Sequence, residues 1–240
     1  MNYKHRDVDF IKVNEDQYIA IACDSCGAIG LKEHDIVKVP YSITGKYTTR
    51  VGLMEVLSIG AKPVALTANI CNEPNPTGEE ILDGIRNELS EASLDVQLTI
   101  STEKNTETSM TALGITVIGI VDKDDILLNK ISPGNYIYAV GIPSIGNEVI
   151  QNEASIANIK MLQELLKNKS INEAIPVGSC GINGELDKLS EAYDMKIDYT
   201  DDIHIDIHKS AGPCTVIIVV SKEKIEHLFD IPINFIGKIA

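Results

Sequence analysis

Short apolar runs separated by polar or turn-forming stretches predict several β-strands in the first half of the chain. Residues 95–100 alternate polar and apolar side chains, as half-buried strands do, whereas residues 113–121 are almost wholly apolar, as fully buried strands are. Pro40 interrupts one of the other candidates. The predicted strands cover residues 17–23, 36–41, 63–70, 95–100 and 113–121.

Two helices are predicted between these strands. From residue 49 the apolar side chains recur every three residues, and Gly60 supplies a stop. The sequence Thr77-Gly-Glu-Glu80 is typical of a capping box, in which the Thr hydroxyl and the Glu three residues on cover each other's free backbone amides. The helix that it opens has an apolar face formed by Ile81, Ile85 and Leu89.

A charged and then turn-forming stretch, residues 122–134, is the best candidate for a domain boundary. The pattern therefore predicts an N-terminal domain over residues 1–130 and a C-terminal domain over residues 131–240. Strands and helices alternate in both, which indicates an α+β fold built as α/β layers. The elements predicted beyond the boundary are a strand at 136–140, an amphipathic helix at about 147–166, a helix at about 184–193 and a strand at 215–220.

The charge balance restricts the possible partners. The 240 residues include 21 Lys and Arg against 35 Asp and Glu, a formal net charge of -14. This argues against a nucleic-acid or anionic-membrane surface but not against a nucleotide, because Mg²⁺ can bridge carboxylates to phosphates. The N-terminus lacks the apolar core of a signal peptide, and no apolar run reaches membrane-spanning length. With five cysteines, an odd number, we expect a cytoplasmic protein with reduced, structural thiols.

The acidic loop, residues 101–111 (STEKNTETSMT), is the most unusual stretch. It connects two predicted strands without glycine or proline and instead concentrates two glutamates, an asparagine and four threonines. Carboxylates and hydroxyls at the end of a strand are ligands for a hard cation such as Mg²⁺, which usually accompanies a phosphate chain. The alternative is a solvated hairpin tip, and the loop taken alone favours it.

A second candidate is the corner segment, residues 22–32. Asp24 ends a strand, Gly27 and Gly30 permit close backbone approach, and Lys32 follows. This order suits a metal–phosphate corner, with Asp24 on the ion and Lys32 on an oxygen. The spacing fits neither a Walker loop nor a dinucleotide fingerprint. A glycine-rich turn with a surface lysine is an equally good interpretation.

Two further sets of polar residues need an explanation. Glu55 lies in an apolar helix, so its carboxylate needs a partner, either a cation or a salt bridge to Arg50 or Lys62. The alternating sequence from Asp202 to His208 would place two Asp and two His on one face of a strand, which resembles a transition-metal site. Their spacing is too wide for all four to reach one ion, so a solvated face is the favoured interpretation. No nucleophilic triad can be assembled.

The order of these motifs resembles the aminoimidazole ribonucleotide synthetase-like superfamily. Its members include the purine-pathway synthetase, thiamine-monophosphate kinase, selenophosphate synthetase and the hydrogenase maturation dehydratase, which use ATP and Mg²⁺ to activate an oxygen or a related atom. The resemblance covers about residues 19–220. It rests on the corner segment, MEVLSIGAKP at 54–63, the Thr-Glu loop, GITVIGIV at 114–121, GNYIYAVG at 134–141 and SAGP at 210–213.

The resemblance implies roles for particular residues. It makes Asp24, Lys32 and Glu103 catalytic. The metal ligands would be Asp24, Glu55 and Glu103, and the nucleotide contacts would be Gly27, Gly30, Lys32, Asn105 and Thr106. The chain departs from the family pattern at Glu55, where Asp is usual, and at Ser101-Thr102, which replaces Gly-Gly.

The resemblance also implies an architecture and an activity. The N-terminal mixed sheet would pair with its copy in a homodimer and form the nucleotide cleft, and a smaller C-terminal α/β domain would follow. Within the superfamily, Glu103-Lys-Asn-Thr106 and Lys209-Ser-Ala-Gly-Pro213 are most similar to the α-ribazole kinase branch, which acts in the salvage of the cobalamin lower ligand. The expected function is therefore a kinase acting on ATP and a small-molecule acceptor. The alternatives are a synthetase that activates an amide or carbonyl oxygen and a non-catalytic nucleotide-binding regulator.

Overall fold

The structure is a computed structural model that describes residues 3–128, 130–225 and 228–240. The chain forms two compact units, one containing the residues up to Val56 and Ala61–Asp125, the other containing Leu57–Gly60 and the residues from Ile126 onward. The elements of the first part of the chain are β1 (Tyr3–His5), β2 (Val8–Lys12), β3 (Gln17–Gly27), β4 (Ile29–Gly30), β5 (Val37–Lys38), α1 (Tyr41–Ser58), β6 (Lys62–Ile70), α2 (Glu79–Glu91), β7 (Gln97–Thr102) and β8 (Ala112–Asp122). Those of the second part are β9 (Tyr136–Gly141), α3 (Glu148–Gln151), α4 (Ile159–Lys167), β10 (Ile171–Pro176), α5 (Gly181–Tyr193), β11 (Ile197–Tyr199), β12 (Val216–Ser221) and β13 (Ile233–Ile239).

The first unit is built on a six-stranded mixed sheet in the order β1-β2-β3-β8-β6-β7. Neighbouring strands are antiparallel except β6 and β7, which are parallel. The chain between these two parallel strands contains α2, as a crossover between parallel strands requires. The long pair β3–β8 runs from Gln17 opposite Asp122 to Gly27 opposite Ala112, and it places the corner segment and the acidic loop at the same end of the sheet.

One face of this sheet packs against helices. Along β8 every second side chain is buried, the pattern of a strand with one covered face. A Cβ added to Gly119 would lie 2.5 Å from Cγ1 of Val56, so α1 covers this face. Helices α1 and α2 also pack closely against each other, because a Cβ on Gly84 of α2 would lie 1.9 Å from the carbonyl oxygen of Ser42 of α1. Glycine at these positions therefore permits tight packing.

The other face of the sheet is uncovered in the single chain. A row of isoleucines crosses β2, β3 and β8 on this face, with Ile11 opposite Ile19 and Ile19 opposite Ile120. Ile11 is 40% exposed and Ile120 is 38% exposed. The uncovered face is therefore apolar at the end of the sheet far from the corner segment.

The second unit is built on a five-stranded antiparallel sheet in the order β10-β12-β9-β13-β11. Its core joins side chains of the central strands, such as Ile137 and Val216, to Ile182 and Leu186 of α5. Among the described residues, no helix has the length and apolar character that crossing a membrane requires. The α+β fold predicted for the chain is confirmed, whereas the roles given to residues 1–130 and 131–240 stay predictions.

Several boundaries in the first unit differ from the prediction. The strand predicted at 36–41 shrinks to the two residues of β5, because Pro40 precedes a helix that already begins at Tyr41 and not at residue 49. The predicted capping box is wrong. The Thr77 hydroxyl donates to the carboxylate of Glu73 and does not cap α2. The N-cap residue of α2 is Gly78, so the helix has no side-chain cap.

Two predictions in the second unit are also wrong. The helix predicted at about 147–166 is divided into α3 and α4, and Asn158 caps α4 by accepting from the Met161 amide at 3.0 Å. The segment from Asp202 to His208 is not a strand. Its alternation has another cause, since Ile203, Ile205 and Ile207 pack against the core while the polar side chains between them face solvent.

Candidate functional site

The corner segment and the acidic loop lie against each other at one end of the first sheet. The Ala28 amide donates to the carbonyl of Thr111 at 2.9 Å, and the His34 amide donates to the carbonyl of Ser109 at 3.0 Å. The first bond continues the pairing of β3 with β8 beyond the last strand residues, and the second attaches His34, just after the corner segment, to the loop. The two stretches that sequence analysis had identified separately therefore form one structure.

Asp35 fixes this junction, and no sequence pattern indicated its role. Its side chain is 5% exposed. One carboxylate oxygen accepts from the Thr111 amide at 2.8 Å, and the other accepts from the Thr111 hydroxyl at 2.7 Å and from the Lys32 amide at 2.7 Å. A buried carboxylate is stable when donors surround it, so Asp35 is a structural acid that joins the corner segment to the loop.

The two glycines of the corner segment have different surroundings. A Cβ on Gly30 would lie 2.3 Å from the Thr111 hydroxyl oxygen and 2.8 Å from Oδ2 of Asp35. Nothing lies within 4 Å of a Cβ on Gly27. Gly30 is therefore needed for packing within the protein, whereas the space beside Gly27 is open. The nucleotide contact expected of each stays a prediction.

Lys32 has a protein partner in this structure. Its Nζ lies 2.5 Å from Oε1 of Glu73, and the two side chains are 15% and 16% exposed. Burial alone would raise the pKa of the Glu73 carboxyl, but the hydrogen bonds from Lys32 and Thr77 outweigh it and lower the pKa to about 2. No sequence pattern indicated this pair, because its two residues lie 41 positions apart in the chain. The phosphate contact expected of Lys32 stays a prediction.

Asp24 is half-buried on β3. Side chains two residues apart on a strand share a face, so Asp24 points to the same side as Cys26, which hydrogen-bonds Thr48 of α1. Burial raises the pKa of the Asp24 carboxyl to about 6, against the lowering effect of a backbone hydrogen bond from Ser25. The negative charge of Asp24 is therefore disfavoured at this position.

Glu55 is 8% exposed on α1. One of the two salt-bridge partners considered for it, Arg50, is bound to a different acid. The Arg50 Nε and Nη2 donate to the two carboxylate oxygens of Glu88 at 2.7 and 3.2 Å, and the guanidinium lies 4.5 Å from the centre of the Tyr47 ring. This buried pair joins α1 to α2. The metal role expected of Glu55 stays a prediction.

Glu103 directly follows β7 and shapes the start of the acidic loop. Its carboxylate accepts from the Asn105 amide at 2.7 Å, and its own amide donates to the carbonyl of Asn72 at 3.0 Å. The second carboxylate oxygen of Glu103, Oε2, takes part in neither of these bonds. The two residues expected to contact a nucleotide, Asn105 and Thr106, are accessible to solvent.

The predicted metal ligands do not form one cluster. Across residues 3–128, 130–225 and 228–240, no three His, Cys, Asp or Glu side chains make a group that could hold a metal ion. The donor chemistry nevertheless fits Mg²⁺, which is often held by one or two carboxylates together with substrate phosphates. A nearby cation would also relieve the unfavourable charge of Asp24, because an opposite charge stabilises the ionised form.

Comparison with known proteins finds a family model that matches the first part of the chain. Residues 5–121 match the model of the AIR synthase related protein, N-terminal domain, a range that contains Asp24, Glu55 and Glu103. No curated protein is similar enough in sequence to count as a match.

The fold resembles several solved structures. T. maritima PurL complexed with ATP is 15% identical with a TM-score of 0.62, over 98% of this chain and 37% of the PurL chain. The HypE-HypF complex is 15% identical with a TM-score of 0.66, over 97% of this chain and 86% of that chain. AaThiL complexed with AMPPCP and TMP is 12% identical with a TM-score of 0.65, over 97% and 84%. At these identities the likeness is one of fold, and the chain spans little more than a third of PurL. Over residues 5–121, just under half of its length, the chain matches the AIR synthase related family.

Proposed function

We propose that this protein is a Mg²⁺- and ATP-dependent small-molecule kinase that acts in the cytoplasm. The observation that carries the proposal is the hydrogen-bonded junction of the corner segment with the acidic loop, which places the carbonyls of Thr111 and Ser109 against the amides of Ala28 and His34. The whole junction lies within the part of the chain that matches the AIR synthase related family. Related folds have been solved with ATP, ADP and AMPPCP, which supports a nucleotide as ligand.

In this proposal the residues of the junction hold and orient the triphosphate. Lys32 leaves Glu73 and contacts phosphate oxygens, while the exposed Asn105 and Thr106 orient the nucleotide or the acceptor. Asp24, Glu55 and Glu103 would hold Mg²⁺ and, since they do not form one cluster, each would do so together with phosphate oxygens, whose charge the bound metal neutralises. Phosphoryl transfer depends mainly on positioning and charge stabilisation, so no dedicated nucleophile is required.

The acceptor that we propose is a hydroxyl of α-ribazole. The γ-phosphoryl group would move from ATP to that oxygen, giving ADP and a phosphate ester, with the hydroxyl proton released. The support is the similarity of residues 103–106 and 209–213 to the α-ribazole kinase branch. In the second unit, the Nζ of Lys209, a residue of this motif, lies 2.8 Å from Oε2 of Glu148.

We also propose that the protein works as a homodimer. The uncovered face of the first sheet exposes the apolar row of Ile11, Ile19 and Ile120, and a second copy of this face would remove the row from water. Apolar association between two identical sheets needs no additional partner. The face is therefore suited to self-association.

Product analysis tests the proposed activity. The purified protein is incubated with Mg-ATP and α-ribazole, and ADP, inorganic phosphate and phosphorylated acceptor are quantified. The proposal predicts equal amounts of ADP and phosphorylated α-ribazole. Release of inorganic phosphate with an amidated product would indicate the synthetase alternative, and turnover equal to that of a no-enzyme control across a panel of acceptors would indicate a non-catalytic nucleotide-binding protein.

A further inference from the structure

Asn72, which no sequence pattern singled out, hydrogen-bonds residues near both ends of the acidic loop. It lies two residues beyond the end of β6, and its side chain is fully buried. The side-chain amide donates to the carbonyl of Met110 at 2.8 Å and to the hydroxyl of Thr108. The side-chain oxygen accepts from the Ala112 amide at 2.9 Å. One side chain thus satisfies polar groups at three positions near the end of the loop.

The backbone of Asn72 holds the other end of the same loop. Its carbonyl accepts from the Glu103 amide at 3.0 Å. The loop between these two attachments is largely exposed from Lys104 to Glu107. An exposed segment of this kind loses conformational freedom only through such attachments, because it buries little apolar surface of its own.

We propose that Asn72 is a positioning residue for the nucleotide site. By holding both ends of the acidic loop, it would keep Glu103, Asn105 and Thr106 in the arrangement that binds Mg-ATP. This inference rests on the proposed function, and it assigns to the protein's binding site a residue that touches no ligand itself.

The chemistry of asparagine explains why this residue type suits the position. Its amide supplies two donors and its oxygen an acceptor at the same reach. Aspartate would keep the acceptor for Ala112 but lose both donors, and alanine would lose all three bonds. Leaving a buried donor or acceptor without a partner costs more free energy than an average hydrogen bond contributes to stability. Each replacement should therefore loosen the loop.

The test combines amide exchange followed by NMR with calorimetric titration of Mg-ATP. The variants are Asn72→Ala, Asn72→Asp, Thr108→Val and the Asn72→Ala/Thr108→Val double variant. The matched control is Asn135→Ala in the second unit. Asn135 is also a buried asparagine, 7% exposed, and its side-chain oxygen accepts from the Ser132 amide at 2.9 Å and from Asn172 at 2.6 Å.

We expect Asn72→Ala to accelerate exchange at Ala112 and Asn105 by about tenfold or more, although the Asn105 amide does not bond to the Asn72 side chain. The affinity for Mg-ATP should fall by about tenfold, equivalent to about 1.4 kcal/mol. Thr108→Val should give a smaller change of the same kind and add little to Asn72→Ala, because the two residues share one hydrogen bond. Asn135→Ala should leave both quantities unchanged.

The outcomes separate this inference from the proposed function. A wild-type protein that binds no Mg-ATP would overturn the proposed function and the positioning role with it. A wild-type protein that binds, with Asn72 variants that bind equally well, would overturn the positioning role alone. The Glu103 amide keeps its backbone acceptor in Asn72→Ala, whereas the Ala112 amide loses the side-chain oxygen, so unchanged exchange at both Ala112 and Asn105 would contradict the claim that this side chain holds the loop.

Discussion

Lys32 and Glu73 form a partly buried ion pair in which Nζ lies 2.5 Å from Oε1. Glu73 also accepts from the Thr77 hydroxyl, so the loop after β6 and the turn before α2 meet the corner segment at this carboxylate. A phosphate that binds Lys32 must compete with Glu73. The pair therefore links the stability of the first unit to the residue that we expect to contact the nucleotide.

The Glu73 pair predicts a loss of stability in acid. The folded protein holds the pKa of Glu73 at about 2, below its ordinary value of 4.5, so the ionised form stabilises the fold above pH 4.5. That contribution is lost as the pH falls from 4.5 to 2. Glu73→Gln should therefore be less stable than wild type at neutral pH, and the difference in the free energy of unfolding should shrink through this interval. Urea unfolding at several pH values measures it, and a constant difference would contradict the ion pair.

The two corner glycines predict opposite responses to alanine. Gly30→Ala places a methyl group 2.3 Å from the Thr111 hydroxyl oxygen and should lower the free energy of unfolding by about 1–3 kcal/mol. Gly27→Ala meets no atom within 4 Å and should change it by less than about 0.5 kcal/mol. Chemical unfolding of the two variants side by side gives the comparison. If Gly27 admits a nucleotide, its variant should also bind Mg-ATP more weakly while remaining as stable as wild type.

Asp24 predicts a dependence on pH of the opposite sign to that of Glu73. Its folded pKa is about 6, above its ordinary value of 3.8, so the folded protein holds the proton more tightly and stability falls as the pH rises from about 4 to 6. Asp24→Asn removes this effect and should be more stable than wild type by about 3 kcal/mol above pH 6, with little difference below pH 4. Urea unfolding across this range and an NMR titration of the carboxyl carbon check it. A carboxyl that titrates near pH 4 would be at odds with the burial of Asp24.

The apolar row on the uncovered sheet face predicts the oligomeric state. Ile120→Lys should dissociate the dimer, raising its dissociation constant about a hundredfold or more, because a lysine would have to be buried without a partner. Ile120 is 38% exposed, so the substitution should leave the single chain folded. Ile150→Lys, at a position 40% exposed on α3, is the control. Sedimentation analysis decides, and a monomeric wild type or a dimeric Ile120→Lys variant would refute the role of this face.

The sequence predicted the elements that carry strong apolar patterns. β6 and β8 lie where their apolar runs predicted strands, although β8 is buried only at every second residue and is not the fully buried strand that its run predicted. The first turns of α1, by contrast, contain Ser, Thr and Gly, whose low helix propensity hides a helix that packing stabilises. Alternation from Asp202 to His208 indicated burial of one side but could not tell a strand from an extended segment, because only a partner strand makes that difference.

The residues of the candidate site also fall into two groups, those that a local sequence pattern indicates and those that it does not. The acids Asp24 and Glu103 could be singled out because a polar residue that follows an apolar run is a local pattern, although β3 continues to Gly27 and Asp24 lies within it. The contacts that organise the site join residues far apart in the chain: Lys32 with Glu73 across 41 positions and Asp35 with Thr111 across 76. Such pairs leave no periodic trace in one sequence. They arise from the strand order, which brings the last residues of β3 and β6 and the first residues of β8 to the same end of the sheet.

The affinity for Mg-ATP tests the central claim most directly. Calorimetric titration compares the wild type with Asp24→Asn, Glu103→Gln and the control Glu107→Gln, whose side chain is exposed in the same loop. Glu103→Gln keeps the oxygen that accepts from the Asn105 amide, so it removes charge with little change in loop structure. We predict that wild type and Glu107→Gln bind alike, while Asp24→Asn and Glu103→Gln each bind at least about tenfold more weakly. Unchanged affinity in both Asp24→Asn and Glu103→Gln would contradict a metal–nucleotide site at this junction.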